Sequence, residues 1–286
     1  MLGHRWLGRR VVNYAHQGGA KEAPSSTLYA IGHALAAGAT AIELDVHSTI
    51  DGELVVCHDP SVDRTTQGLG EIATLGLAEL RELDNAYWFV PGEDAVHGRD
   101  AGAYPLRGRA PAERELGVAT LAEVLERFPG VVLNLDIKRT APDVEPYEAA
   151  LAEILREHGR RDDVIVASFL DSATERFAAI APEIAISCGT VATAEFYRRV
   201  RAGESPQDDI GRFAALQVPT RVGDTVVVEE AFVAAAHTAG LAVHVWTVDD
   251  PSEMEHLVEL GVDGIISDKP TVLAGVLDRL GVTWRP

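Results

Sequence analysis

The chain has 286 residues, 47% of them hydrophobic and 24% charged, with 44 Asp and Glu against 25 Lys and Arg for a formal net charge of −19. That composition is ordinary for a soluble globular protein, and the length suits one α/β barrel or two smaller domains. The acidity argues against a nucleic-acid partner or an anionic membrane surface, because both require a basic face; an anionic small molecule stays admissible if its site brings its own positive charge. The two cysteines, Cys57 and Cys188, lack any metal-type spacing. They read as small buried residues of a reducing compartment, with a lone disulfide as the alternative. The basic N-terminus lacks the apolar stretch of a signal peptide. No run of about 18 apolar residues is present to span a bilayer, and the expected location is the cytoplasm.

Short β-branched runs recur along the chain, many followed by Ala/Leu/Glu-rich stretches with helical spacing. Strands are predicted at 11–15, 41–46, 54–57, 131–137, 164–168, 184–187, 214–218, 242–248 and 264–267. Helices are predicted at 27–37, 75–83, 120–128, 145–158, 172–180, 194–202, 229–239, 251–260 and 271–280. Several strands are near-continuous apolar runs, as expected when both faces of a parallel strand are covered. The alternation points to parallel α/β architecture, and the fold expected is a (β/α)8 TIM barrel. There is one strand candidate too many, so one must be a hairpin arm or lie outside the barrel; 54–57 and 214–218 are the weakest. Gly38, Gly240 and Gly261 each follow a predicted helix and suit C-terminal caps. Segment 60–117 breaks the rhythm with a Gly/Pro-rich loop and the aromatic cluster Tyr87, Trp88 and Phe89. It reads as an insertion over the barrel mouth after the third strand, or equally as a surface excursion with its own small apolar cluster.

In a parallel barrel the chemistry sits at the carboxyl ends of the strands. His16 ends the first strand, Glu43 and Asp45 lie in AIELDV, and His58 and Asp59 end the third. Asp136 and Lys138 lie in LNLDIK, Trp246 and Thr247 in HVWTV, and Ser267, Asp268 and Lys269 follow the last strand. Glu43 and Asp45 are two apart in a strand and so share a face. Two carboxylates facing a barrel interior repel unless a cation neutralises them, which suits Mg2+ or Ca2+ with their preference for oxygen ligands. Asp136 and Lys138 repeat the spacing and add a third carboxylate and one positive charge. The competing reading is a buried salt bridge between Lys138 and one of these acids. His16 and His58, flanking the carboxylates, suit an acid/base pair near neutral pH; as metal ligands they would shift the metal toward zinc. Gly18 and Gly19 would let backbone N–H groups approach an oxyanion. No GxSxG elbow, Walker A loop or HExxH is present, so serine hydrolase, P-loop and zincin chemistries lose support.

The ordered blocks AHQGG (15–19), EAPSST (22–27), GATAIELDV (38–46), STIDGELVVCHDPSVDRTT (48–66), LNLDIK (133–138), SF (168–169), HVWTV (244–248) and GVDGIISDKP (261–270) resemble the glycerophosphodiester phosphodiesterase family over nearly all of the chain. The resemblance implies a (β/α)8 barrel, with an insertion after the His-Asp strand. It implies one divalent cation, Mg2+ or Ca2+ with Mn2+ as a further possibility, on Glu43, Asp45 and Asp136. His16 and His58 would be general acid and base, Lys138 and Gln17 would face the phosphate, and Trp246 would wall the glycerol carbons. The implied partner is a small glycerophosphodiester, hydrolysed to sn-glycerol 3-phosphate and an alcohol. Three positions depart from the family pattern. Gln17 replaces an Arg, losing the charge and bidentate fork while keeping a hydrogen-bond donor. Ser25-Ser26 replace Glu-Asn, and Asp136 replaces a longer Glu. Loss of one cation and one anion together fits a vanished Arg–Glu pair, so that the site changed as a unit. The alternatives are a sphingomyelinase D-like or lysophospholipase D-like enzyme with an apolar lid at 87–90, a non-catalytic phosphate-ester-binding paralogue, and a Schiff-base lyase using Lys138. Retention of both histidines speaks against the second of these, and the Glu43/Asp45 pair against the third.

Overall fold

The computed structural model describes residues 6–8, 11–207 and 210–282. Eight parallel strands make the barrel: β1 (Val12–His16), β2 (Ala41–Ser48), β3 (Val132–Ile137), β4 (Val164–Ala167), β5 (Ala185–Ile186), β6 (Ala215–Pro219), β7 (Ala242–Trp246) and β8 (Gly264–Ser267). Their spatial order is β5-β4-β3-β2-β1-β8-β7-β6. The ring closes at a thin seam, where Ser187 bridges Ala215. There the Cys188 N–H donates to Ala215 O at 2.9 Å and the Ala214 N–H to Ile186 O at 2.8 Å. The helices that follow the strands are α1 (Leu28–Ala36), α2 (Leu121–Arg127), α3 (Glu148–Glu157), α4 (Asp171–Ile180), α5 (Thr190–Ala202), α6 (Glu230–Thr238), α7 (Pro251–Leu260) and α8 (Pro270–Arg279).

The surplus strand is the segment Leu54–Val56, which pairs antiparallel with the end of β2 (Val46 opposite Val56) as a hairpin arm. The other weak candidate, 214–218, is barrel strand β6. The helix expected at 75–83 shrinks to Leu77–Leu80, which buries only Leu80; without an apolar stripe to pack, it has no reason to propagate. Cys57 and Cys188 are both buried and are not joined to each other. No described helix is long and apolar enough to cross a membrane.

Period-two alternation sets the two faces of each strand. On β2 and β3, Ile42, Leu44, Val46, Leu133, Leu135 and Ile137 face the helices and join the main core. Each such fully buried Leu or Ile stabilises by about 1.5–3 kcal/mol. The alternate positions point into the barrel. At its lower end they are apolar, with Val12, Tyr14, Ala41, Val132, Ile165 and Ile266 packed together. Above them, the Asn134 and Gln217 amides span the lumen in a reciprocal pair of hydrogen bonds, 3.1 and 3.2 Å.

Local signals place the helices. Thr120 and Glu123 form a capping box at α2, with Glu123 N–H donating to Thr120 Oγ1 at 3.1 Å and Thr120 N–H to the Glu123 carboxylate at 2.9 Å. Gly38, Gly240 and Gly261 take left-handed φ at the helix ends, as expected. Segment 60–117 packs small clusters of its own: Val62, Ile72 and Leu80 with the hairpin arm, and Ala86, Ala110 and Leu116 together. The Trp88 ring stacks on His97 at 4.3 Å, and the Arg107 guanidinium lies 3.5 Å from the Tyr104 ring centre.

Candidate active site

Strand register gathers the acidic side chains at the carboxyl end of the barrel. His16 on β1 stands level with Glu43 on β2, and Asp45 on β2 stands level with Asp136 on β3. The sharp turn after β1 then carries the chain away. Gln17, Gly18 and Gly19 all have positive φ (53°, 84° and 93°). A Cβ on Gly18 would lie 2.9 Å from Ala30 Cβ, and one on Gly19 would lie 2.9 Å from Pro270 Cγ; both are glycine because α1 and α8 pack against the turn. The oxyanion role expected for this pair is overturned. The Gly18 N–H is spent on Ala15 O at 3.1 Å and the Gly19 N–H on His16 O at 2.7 Å.

His16 Nδ1 lies 2.6 Å from Asp268 Oδ1. A carboxylate only accepts, so Nδ1 carries the proton and Nε2 is the nitrogen left for chemistry. Nε2 lies 3.8 Å from Glu43 Oε2 and 3.2 Å from Gln17 Nε2. Burial works against a charge on His16, but the hydrogen bond to Asp268 and the fields of Glu43, Asp268 and Asp45 outweigh it and push its pKa up to about 9. Asp268 is itself held by its own N–H to Asp249 Oδ1 at 2.9 Å and by Lys21 Nζ at 3.4 Å.

His58 repeats the arrangement with a different carboxylate. Its Nδ1 lies 2.6 Å from Asp59 Oδ1, and Arg64 Nε donates to Asp59 Oδ2 at 2.8 Å. The hydrogen bond to His58, with Arg64 in support, holds the Asp59 carboxyl down at about 2. Arg64 also donates to Asp94 Oδ2 at 2.6 Å, so segment 60–117 braces the second histidine. The two imidazoles lie 6.1 Å apart, edge to face.

Lys138 Nζ stands 2.8 Å from Asp45 Oδ1 and 3.0 Å from Asp136 Oδ2, so the buried salt bridge weighed in the sequence is present. Burial opposes the ammonium, but Asp136, Asp45 and Glu43 hold its pKa above the ordinary lysine value. One lysine does not balance three acids. Burial and then the Asp45 charge push Glu43 upward, and burial does the same to Asp136. Asp45 Oδ2 and Asp136 Oδ1 are buried and accept no hydrogen bond among the described residues. Buried carboxylate oxygens without a donor are a type that suits a hard divalent cation, and Asp45 and Asp136 offer them; Glu43 beside them accepts the Gln17 N–H on Oε2 at 3.2 Å. Among the described residues, no group of three or more His, Cys, Asp or Glu side chains is arranged to hold a metal ion as the structure stands.

A cavity of about 650 Å³ opens above these groups, lined at this end by His16, Glu43, Asp45, His58, Asp136 and Lys138, and by Trp246 across the barrel. Trp246 meets Phe169 at 5.6 Å in a T-shaped contact, and Lys138 Nζ lies 5.6 Å from the Phe169 ring centre. Gln17 is buried with its amide against the working nitrogen of His16, Nε2 to Nε2 at 3.2 Å, and is not among the cavity's lining side chains. The Ser26 N–H donates to Gln17 O at 2.7 Å, so two of the positions that depart from the family pattern touch each other. The lid expected at 87–90 is also not at the cavity, because those residues pack within their own segment. The sequence places Asp59 and Asp268 at strand ends without a role, and Arg64 and Phe169 stand in the quoted blocks unremarked. The pairing of Asp268 with His16 becomes visible only once β8 is laid beside β1.

The chain matches the Glycerophosphoryl diester phosphodiesterase family over residues 16–272. It belongs to that family. With membership comes the enzyme class, a phosphoric diester hydrolase. A glycerophosphodiester phosphodiesterase of Bacillus subtilis is 29% identical, covering 91% of this chain and 84% of its own. One from Caldanaerobacter subterraneus subsp. tengcongensis is 30% identical, covering 93% and 98%. Among solved structures, an Oleispira antarctica phosphodiesterase in complex with the product sn-glycerol-3-phosphate is 27% identical, with a TM-score of 0.70 over 93% of this chain and 96% of that one.

Proposed function

We propose that this enzyme hydrolyses glycerophosphodiesters to sn-glycerol 3-phosphate and an alcohol, with His16 and His58 as its acid/base pair. The observation that carries the reading is the pair of carboxylate-anchored imidazoles, 6.1 Å apart, beside three buried carboxylates and one ammonium. The product bound to the Oleispira antarctica relative supports the choice of substrate.

A phosphodiester resists attack because it is an anion with a poor leaving alkoxide. Lys138 is the fixed positive charge at this end of the cavity, placed to balance the phosphoryl oxygens as charge develops on them. A divalent cation, Mg2+, Ca2+ or Mn2+, held by Glu43, Asp45 and Asp136, would add Lewis-acid stabilisation of the same charge. One of His16 and His58 protonates the leaving oxygen, and the other is the base toward water or the glycerol 2-hydroxyl. Each transfer contributes about 10²–10⁴-fold. Asp268 and Asp59 fix each ring through Nδ1, which leaves Nε2 to exchange protons. Trp246 and Phe169 offer an apolar wall to the glycerol carbons. The Schiff-base alternative fares badly: a lysine nucleophile must lose its proton, whereas the surrounding acids hold Lys138 charged.

The test is release of glycerol 3-phosphate from glycerophosphocholine, with and without EDTA, in wild type and His16→Ala. Turnover that depends on both metal and His16 is expected. Metal-independent turnover, or full activity in the variant, would sink the reading.

A further inference from the structure

The cavity has two unlike ends. Among the described residues, the Asp, Glu and Lys that line it, Glu43, Asp45, Asp136 and Lys138, belong to β2 and β3 or follow them directly. The opposite wall is Val218 and Pro219 at the end of β6, Val222 and Val227 in and after the turn that follows, and Tyr197 of α5. That turn is a two-stranded hairpin, Arg221–Val222 against Thr225–Val226. Tyr197 Oη donates to Val226 O at 3.2 Å and pins the hairpin to α5. Arg221 folds back onto Asp224 O at 2.8 Å, and neither residue lines the cavity.

The wall continues the catalytic cavity, and its apolar side chains run from buried root to rim with Gln217, Thr190, Thr193 and Thr225 as polar neighbours in the lining. Val218 and Val227 are buried, while Val222 is 64% exposed at the hairpin and Phe169 is 55% exposed at the mouth. A single exposed valine needs no explanation. One that extends a buried apolar wall out of an active site exposes surface that a ligand would cover. The volume, about 650 Å³, corresponds to about 20 water molecules, well beyond a glycerol phosphate.

We propose that the preferred substrate carries an aliphatic chain that lies along Val218, Pro219, Val222 and Val227. The chain is either an acyl group on the glycerol, in which case the phosphate product is an acylglycerol phosphate in place of sn-glycerol 3-phosphate, or the alkyl part of the esterified alcohol. The inference rests on the hydrolase reading and names the substrate class that this cavity selects.

Two homologous series of monomeric substrates test it. One lengthens the esterified alcohol of glycerophospho-alkyl esters from ethyl to hexyl. The other lengthens the acyl group of lysophosphatidylcholine from acetyl to hexanoyl. In the series that matches the true source, kcat/KM rises by up to about fourfold per methylene, and Val222→Asp flattens that rise. Two flat series, or a rise unaltered in Val222→Asp, would overturn the inference. Calorimetric binding of n-alkyl phosphates with Mg2+ present reads the wall independently of turnover. Affinity that grows with chain length in a protein that turns nothing over would support this wall and sink only the hydrolase reading. Affinity independent of chain length, with glycerophosphocholine still hydrolysed, would overturn this inference and leave that reading standing.

Discussion

His16 and His58 carry the same device, an imidazole fixed through Nδ1 by a carboxylate at 2.6 Å, yet the fold builds it in two ways. For His16 the carboxylate is Asp268, brought from the far end of the chain by the pairing of β1 with β8. For His58 it is the adjacent Asp59, braced by Arg64 and Asp94 from the segment inserted between the hairpin arm and α2. The barrel therefore owns one arm of the site and the insertion owns the other. The first arm is fixed to the sheet at two strand ends. It also lies among the carboxylates, which is why its proton is held so firmly.

The largest effects should come from removing either ring. His16→Ala and His58→Ala are each expected to lower kcat by about 10²–10⁴-fold in steady-state assays. A mild loss in one alone would break the symmetry of the pair. Stripping divalent cations with EDTA should cost several kcal/mol, a hundredfold or so, in both turnover and affinity for sn-glycerol 3-phosphate. Calorimetry before and after Mg2+ is restored measures it; affinity unchanged by EDTA would leave Lys138 as the sole phosphate anchor. Arg64→Met should act on the second arm alone, lowering kcat roughly tenfold with little change in KM, because a small misplacement of a catalytic group is costly. Recovery in Arg64→Lys would show that the brace is chiefly a charge.

The smallest effect belongs to the first arm and is read in stability. The pKa of His16 rises from 6.5 unfolded to about 9 folded, so the folded state binds the extra proton. Its stabilisation is complete below pH 6.5 and is lost as pH climbs through about 9. Urea midpoints across that window should fall in wild type and flatten in His16→Gln. An identical slope in the variant would place the titration elsewhere.

Most of the barrel was legible because its strands are short apolar runs between helices with a strong stripe. The strand count showed one too many without showing which, because a hairpin arm such as Leu54–Val56 has the same composition as a barrel strand and only the direction of pairing separates them. The carboxylates were legible because spacing of two within a strand dictates a shared face. Asp268 and Arg64 were not, since their roles depend on strands and loops meeting across long sequence separations. The hairpin at Arg221–Val226 escaped because each of its strands is two residues long and carries no periodic pattern.

The seam between β5 and β6 gives the molecule a direction of least resistance. β2 and β3 are in register from Ala41 to Val46, whereas β5 and β6 share one bridge, at Ser187 and Ala215. Breathing of the sheet should therefore begin at that join, and the Cys188 and Ala214 amides should take up deuterium ahead of those between β2 and β3. Cys188 and Val218 flank the join and line the cavity's apolar side. The acidic half of the site thus sits on the firmest part of the barrel, and the half that faces a varied substrate sits on the part most able to yield.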